Sequence, residues 1–246
     1  MEKEIVIAVY DKDLSWLSKL DADIKKTIYR KGEYELQEDE IGLSNVGRDV
    51  HTFFNHLYLN YDNLSDITFF AQDYPFDHWE DLVDVISNDR WAERSNLVIG
   101  GYYGFHFNTN QPNTTINLNK TDGSPTQITV GMMWGMSPTS HHGTGNILSC
   151  NSDGTPQAAP GVYNINLNEY WVKFFTSDLP LYGSSTLNRY EFMPGGHFGI
   201  TREHAQLRSR DFYKQVVDLL ASDIDAPWII ERLECYMFNP QYKTVC

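Results

Sequence analysis

The chain reads as an α/β protein built on a parallel-centred sheet with helices on both faces, and three observations predict it. Ile5-Val6-Ile7-Ala8-Val9-Tyr10 is a continuous apolar run, as expected of a strand covered on both sides. Val50, Phe53, Phe54, Leu57 and Tyr61 fall at i, i+3, i+4, i+7 and i+11, the stripe of an amphipathic helix. A second apolar strand, Ile67-Thr68-Phe69-Phe70, follows that helix, giving the alternation of strands and helices that parallel sheets require.

Each element has its local signal. The first strand stops at Asp11-Lys12-Asp13, after which Leu14, Leu17, Leu20 and Ile24 recur at helical intervals. Thr27-Ile28-Tyr29 is a short second strand. Asn45-Val46-Gly47-Arg48-Asp49 opens the striped helix. The strand at Ile67 empties into Ala71-Gln72-Asp73-Tyr74-Pro75-Phe76-Asp77-His78. Asp77-His78-Trp79-Glu80 has the form of an N-cap with an acid at N3, ahead of Trp79, Leu82, Val83 and Ile86. Residues 100–189 are rich in Gly, Asn, Thr, Ser and Pro, with strand-like pieces at 127–132 and 162–167, which predicts long loops or a small β-rich half. The end turns helical: Phe212, Val216, Leu219 and Leu220 share one face, and Ile229, Leu233, Tyr236 and Met237 share another. Asp225 is placed to cap the last helix, with Pro227 tolerated in its first turn. The expected organisation is one domain over 1–246, divided into a ligand-binding half at 1–100 and a second half at 101–246.

Composition excludes several classes. Apolar residues make up 41% and charged residues 21%, a globular balance. No apolar run approaches the roughly 18 residues of a membrane helix. The start, Met1-Glu2-Lys3-Glu4-Ile5, lacks the basic region and apolar stretch of a signal peptide. Cys150, Cys235 and Cys246 are odd in number and show no metal spacing, which favours a reducing compartment and a cytoplasmic protein. The sequons at Asn113 and Asn119 then carry no weight. With 19 basic against 33 acidic residues the formal charge is −14, which opposes a nucleic-acid partner. A small anion held by one or two arginines and backbone amides remains compatible.

Several constellations offer chemistry, each beside a plainer reading. Asn45–Asp49 combines a helix N-terminus, a glycine that permits close backbone approach and the donor fork of Arg48, which suits a phosphate or a sugar hydroxyl. Equally, it is a capped helix with a surface arginine. Asp73, Asp77 and His78 lie just beyond a buried strand and offer hard ligands for Mg²⁺ or Mn²⁺. Asp77 also has a structural use as N-cap. His51 and His56 are about 140° apart in azimuth and do not converge on a metal, unlike an i, i+4 pair. His141-His142 sits in a Pro/Ser/Gly loop, so a zinc hydrolase is disfavoured. In Gly195-Gly196-His197-Phe198-Gly199-Ile200 the glycines let an imidazole approach a ligand, or simply make a tight turn. Glu231 lies about 200° from Ile229, off the apolar stripe, and faces solvent or a cleft.

Four stretches together carry a likeness. They are Val9-Tyr10-Asp11-Lys12-Asp13-Leu14-Ser15-Trp16-Leu17; Ile28-Tyr29-Arg30-Lys31-Gly32; Asn45-Val46-Gly47-Arg48-Asp49 with Tyr61-Asp62-Asn63-Leu64; and Phe69-Phe70-Ala71-Gln72 with Pro75-Phe76-Asp77-His78. In order and spacing they resemble a family known mainly as a domain of unknown function with glycosyltransferase-like members. Weaker similarity returns at Gly196-His197-Phe198, Phe212-Tyr213 and Glu231-Arg232. The resemblance implies a GT-A-like fold, with a nucleotide-sugar-binding half followed by an acceptor half. It implies transfer of a sugar from a nucleotide-sugar donor to a hydroxyl of a glycan or glycoconjugate.

On that likeness Tyr10, Asp11, Lys31, Asn45, Arg48, Gln72 and His78 bind the donor, and Asp77 with Asp73 or His197 positions a divalent ion (Mn²⁺ or Mg²⁺). Glu231 or Asp49 then deprotonates the acceptor. The chain departs from the family where Gln-Gly-Asn-Pro-Phe-Asp-His is replaced by Gln72-Asp73-Tyr74-Pro75-Phe76-Asp77-His78, and where Asp49 replaces a glutamate. No full Asp-x-Asp signature follows a strand. A non-catalytic carbohydrate-binding module is the competing expectation, since the 14% aromatic content includes Tyr102, Tyr103, Trp134 and Trp171 near polar loops. A DNA-base glycosyltransferase would need a basic groove, against the net charge.

Overall fold

The computed structural model describes residues 1–77, 79, 82–87, 98–100, 105–106, 115–119, 125–129, 134–136, 167–175, 190–192 and 196–238. The first half runs β1 (Lys3–Val9), a 3-10 turn (Ser15–Lys19), β2 (Lys25–Lys31), β3 (Glu40–Leu43), α1 (Arg48–Leu59), β4 (Ile67–Gln72), a second 3-10 turn (Pro75–Asp77) and α2 (Leu82–Ser87). Then come β5 (Val98–Gly100), β6 (Phe105–His106), β7 (Thr115–Asn119), β8 (Pro125–Thr129), β9 (Trp134–Met136), α3 (Leu167–Phe175) and β10 (Tyr190–Phe192). The end comprises β11 (Phe198–Thr201), α4 (Arg202–Ala205), α5 (Arg210–Ser222) and α6 (Ala226–Phe238).

The main sheet has seven strands in the order β3-β2-β1-β4-β11-β5-β6. The first four run parallel, with Val6 beside Thr27 on one side and Phe70 on the other. β11 is antiparallel to both β4 and β5. β7 with β8, and β9 with β10, form two separate antiparallel pairs.

Alternation along the central strands splits the core in two, because successive side chains of a strand point to opposite faces. Val6, Ala8 and Phe70 join α1, α3, α5 and α6 through Phe53, Phe54, Trp171, Tyr213 and Phe238. Ile5, Ile7, Val9, Phe69 and Ala71 join Trp16, Leu17, Trp79 and the α2 residues Leu82, Val85 and Ile86. A continuous apolar strand is therefore what a sheet covered on both faces requires, and β1 has it. Among the described residues no helix is long and apolar enough to cross a membrane.

Four local expectations change. The helix expected from Leu14 is only a five-residue 3-10 turn. Asp13 folds back on the Ser15 N–H at 3.1 Å, and the chain is extended again by Leu20. Leu17, Leu20 and Ile24 are nevertheless buried, so the apolar positions are right and the period is wrong. Asp77 ends a 3-10 turn, and α2 starts only at Leu82, so Asp77 is not its N-cap; Glu80 lies outside the described residues. Leu167 opens α3 instead of closing a strand, while 162–166, like 130–132 after β8, lie outside the described residues. At α6 the Asp225 side chain does not cap, since its Oδ1 takes no hydrogen bond; the Asp225 carbonyl accepts the Ile229 N–H instead.

Candidate functional site

The chain leaves β1 for β2 and β3 on one side, then returns through α1 to β4 on the other. The strand order therefore reverses between β1 and β4, and the carboxyl ends of those strands border the crevice where α/β sheets hold ligands. The segments 10–12, after β1, and 73–77, after β4, meet there. Continuing the β4–β11 register beyond Phe70 and Phe198 sets His197 beside Ala71 and Gly196 beside Gln72, so the glycine-flanked histidine enters the same rim.

Asp73 ties this rim together. Its Oδ2 accepts the N–H groups of Tyr10, Asp11 and Lys12 at 2.9, 3.1 and 3.0 Å, and Oδ1 accepts that of Tyr74 at 3.0 Å. Three of these donors converge on Oδ2 and one on Oδ1, so the carboxylate gathers four backbone N–H groups. Trp16 Nε1 donates to the Asp73 carbonyl at 2.8 Å from below. Asp73 is thus a buried clamp between the ends of β1 and β4, a structural role at the position where a metal ligand was expected. Gln72 closes the neighbouring turn, its Nε2 donating to the Tyr74 carbonyl at 2.9 Å and to Asp77 Oδ1 at 3.3 Å. Asp77 is exposed, and His78 lies outside the described residues. His197 is buried. Among the described residues no three His, Cys, Asp or Glu side chains are arranged to hold a metal ion, so Asp73, Asp77 and His197 do not form one centre.

The clamp leaves aromatic rings outside. Tyr10 meets Tyr34 edge to face at 5.9 Å, Tyr74 meets Phe76 at 5.4 Å, and Tyr10, Tyr34 and Tyr74 are all about half exposed. Asp11 is exposed and pairs with Lys12 at 3.4 Å.

A second group forms where α1 begins, beyond the ends of β2 and β3. Lys31 points inward and is buried, its Nζ donating to the Val46 carbonyl at 2.6 Å and to that of Arg48. Burial pulls its ammonium down to about 8, against the opposing pull of the Asp49 carboxylate. Lys31 therefore straps loop 45–48, a structural role at a residue expected to bind the donor. Gly47 is left-handed at φ 59°, and a Cβ there would sit 2.6 Å from the Leu220 carbonyl oxygen and 2.7 Å from His51 Cβ. The close approach that this glycine permits is to α5.

Arg48, also left-handed at φ 53°, is exposed and places its guanidinium 4.9 Å from the Trp228 ring centre. Asn45 is exposed beside it. No side chain caps α1, although Asp49 Oδ1 accepts the Val50 N–H at 3.0 Å.

α6 lies along α1, with Trp228 against Arg48 and Phe238 stacked on Phe54. Glu231 pairs with the fully buried Arg232 at 3.2 Å, and that guanidinium also donates to the Trp228 carbonyl at 2.6 Å. One turn on, Glu234 is 4% exposed. Burial pushes its carboxyl well above the usual range, and the charges of Glu231 and Asp49 push it further. The carboxylates of Glu231 and Asp49, on helices far apart in sequence, thus both act on the charge of one buried acid. Sequence reading missed Glu234, Trp228, Tyr34 and Tyr74; only the spacing of Glu234 three residues after Glu231 hinted at a shared helical face.

Residues 5–97 match the model of a family described as "Protein of unknown function (DUF3431)", a span that runs from β1 up to the start of β5. No curated protein and no solved structure matches the chain.

Proposed function

We propose that the protein is a glycosyltransferase that moves a sugar from a nucleotide-sugar donor to an acceptor hydroxyl. The observation that carries the reading is the β1–β4 switch point, where Asp73 fixes the loop 10–12 beside exposed aromatic rings. The GT-A-like resemblance of the first 80 residues supports it.

The Tyr10 and Tyr34 faces receive the nucleoside, and Arg48, steered by Trp228, meets the diphosphate. The acceptor oxygen then attacks the anomeric carbon, the bond to the diphosphate breaks with its electron pair, and Glu231 or Asp49 takes the acceptor proton. The resemblance also implies a divalent ion to neutralise the diphosphate. Among the described residues no three side chains fit a holding set, with Asp73 already accepting four backbone N–H groups, and no step is assigned to the ion.

Thermal shift with nucleoside diphosphates and their sugars, with and without Mn²⁺, combined with donor hydrolysis, tests the reading. The expected result is a nucleotide-dependent rise in melting temperature and slow release of sugar to water. In Arg48→Ala the loss of a charged hydrogen bond, roughly 1.5–3 kcal/mol, lowers affinity by about one to two decades. A chain that no nucleotide stabilises and that hydrolyses no donor is not a transferase. The half-exposed rings of Tyr10, Tyr34 and Tyr74 favour a carbohydrate-binding module as the second reading, which binds free sugar and leaves the donor intact.

A further inference from the structure

We propose that β3, the outer strand of the main sheet, is a docking edge for an extended segment of another protein, one in which apolar side chains alternate with lysine or arginine. Nothing in this role depends on sugar transfer. The backbone, the side chains and the charge of the edge point the same way.

β3 pairs with β2 on one side and ends the sheet on the other. The Leu43 carbonyl accepts the Gly32 N–H at 3.0 Å, so Leu43 turns its backbone groups toward the β2 side. These groups alternate in direction along a strand, so those of Gly42 turn outward, as the addition of a further strand requires. Ile41 stands in register with the core residue Tyr29 and shares its face of the sheet. Leu36 covers the opposite face, its Cδ1 lying 3.2 Å from where a Gly42 Cβ would be. Ile41 and Leu36 are 48% and 47% exposed, so the edge presents apolar surface on both faces of one outward-turned residue. Edges that stay unpaired are commonly blunted by lysine or proline, and β3 has neither.

Charge selects the occupant. The stretch 32–47 holds Glu33, Glu35, Glu38, Asp39 and Glu40 and no lysine or arginine. Glu40 is paired with Arg30, and the other four acids are exposed. Two copies joined edge to edge would bring two such stretches together, on chains that each carry a formal charge of −14. A cationic segment meets complementary charge instead, while its apolar side chains reach Ile41 and Leu36. The acids thus refuse a second copy and favour a basic partner.

The test is fluorescence anisotropy on the full chain with short labelled peptides that alternate lysine with valine, against the same peptides with glutamate for lysine. The lysine peptides should bind and the glutamate peptides should not. The lysine complexes should weaken about tenfold between roughly 0.1 M and 1 M salt, where the Debye length falls from about 10 to 3 Å. Ile41→Ser should weaken binding about five- to tenfold through the lost apolar contact. Gly42→Pro should abolish binding and keep the melting temperature, because an outward N–H has no ladder partner to lose. Glu35→Lys combined with Glu38→Lys should reverse the preference between the two peptides. If Gly42→Pro does not fold, Ile41→Ser and the charge exchange decide. No binding of the lysine peptides, or binding that ignores peptide charge or these substitutions, overturns the docking edge. So does a wild-type dimer that Ile41→Ser dissociates, since a second copy would then hold the strand.

Discussion

Asp73 shows how a single residue can change meaning once the chain is folded. In sequence it is a loop aspartate after a strand, the position of many metal ligands. In the fold its three donors on the β1 side lie 61 to 63 residues away, a relation that no local pattern carries. Asp73→Asn keeps the size but turns an N–H₂ group or a single neutral oxygen toward those donors. It should cost about 1.5–3 kcal/mol in urea melts, equally in Mn²⁺ and in chelator. A variant of wild-type stability with metal-dependent behaviour would restore the ligand reading.

Glu4 was equally illegible, a charge inside an apolar strand. It is fully buried at the opposite end of β1, accepting from Thr27 at 2.6 Å and Ser65 at 3.0 Å, with Lys25 at 3.0 Å and His56 at 3.7 Å. Burial alone would raise its carboxyl, but the partners, His56 foremost, outweigh this and hold it at about 2. A depressed folded pKa stabilises above the unfolded value and is lost as pH falls through the folded one. Glu4→Gln should therefore cost about 3 kcal/mol at pH 7, with the gap to wild type closing as pH drops from about 4.5 toward 2. A gap independent of pH would place the cost in packing.

At the scale of elements, α1 was the most legible piece of the chain. Val50, Phe53, Phe54 and Leu57 are all buried as their spacing requires, and the helix begins at Arg48, right after the glycine. Strands β1 and β4 were also readable, because burial on both faces leaves an unbroken apolar run. β3, with Glu40 and Gly42 among its four residues, carries no such run; it lies at the edge of the sheet and was missed. Gly47 stood out in the sequence, and the fold supplies a packing reason for it. Its backbone is left-handed, and the α1–α5 contact passes where a side chain would be. Gly47→Ala adds the left-handed penalty of roughly 1–2 kcal/mol to a collision with the Leu220 backbone, which cannot swing away as a side chain can. The expected outcome is a loss of at least about 2 kcal/mol by denaturant melts and a shift of α5 against α1. A near-neutral alanine would mean that the helix head does not sit against Leu220.

For the molecule as a whole, the sheet separates two tasks. One set of strand ends carries the Glu4 network, and the other carries the clamped loops, the exposed rings and Arg48. The alternation of elements made the parallel centre readable, whereas the antiparallel return of β11 depends on pairings more than a hundred residues apart in the chain. Net charge adds a constraint that geometry does not. With a formal charge of −14, the nucleoside diphosphate of the proposed function would approach through a repulsive field and would depend on short-range partners such as Arg48. Screening acts on the two differently. Raising ionic strength from about 0.01 M to 0.15 M shortens the Debye length from roughly 30 to 8 Å, which removes the distant repulsion and leaves contacts within a few ångströms largely intact. The association rate for the diphosphate should therefore rise over that range, the reverse of a protein that steers anions with a basic groove. Stopped-flow binding at the two salt concentrations checks this, with Arg48→Ala as the companion. The variant should show the same rise in association rate with salt but a faster dissociation, since Arg48 acts after encounter. A rate that falls steeply with salt would mean that a local basic field governs the rim and that the whole-chain charge does not.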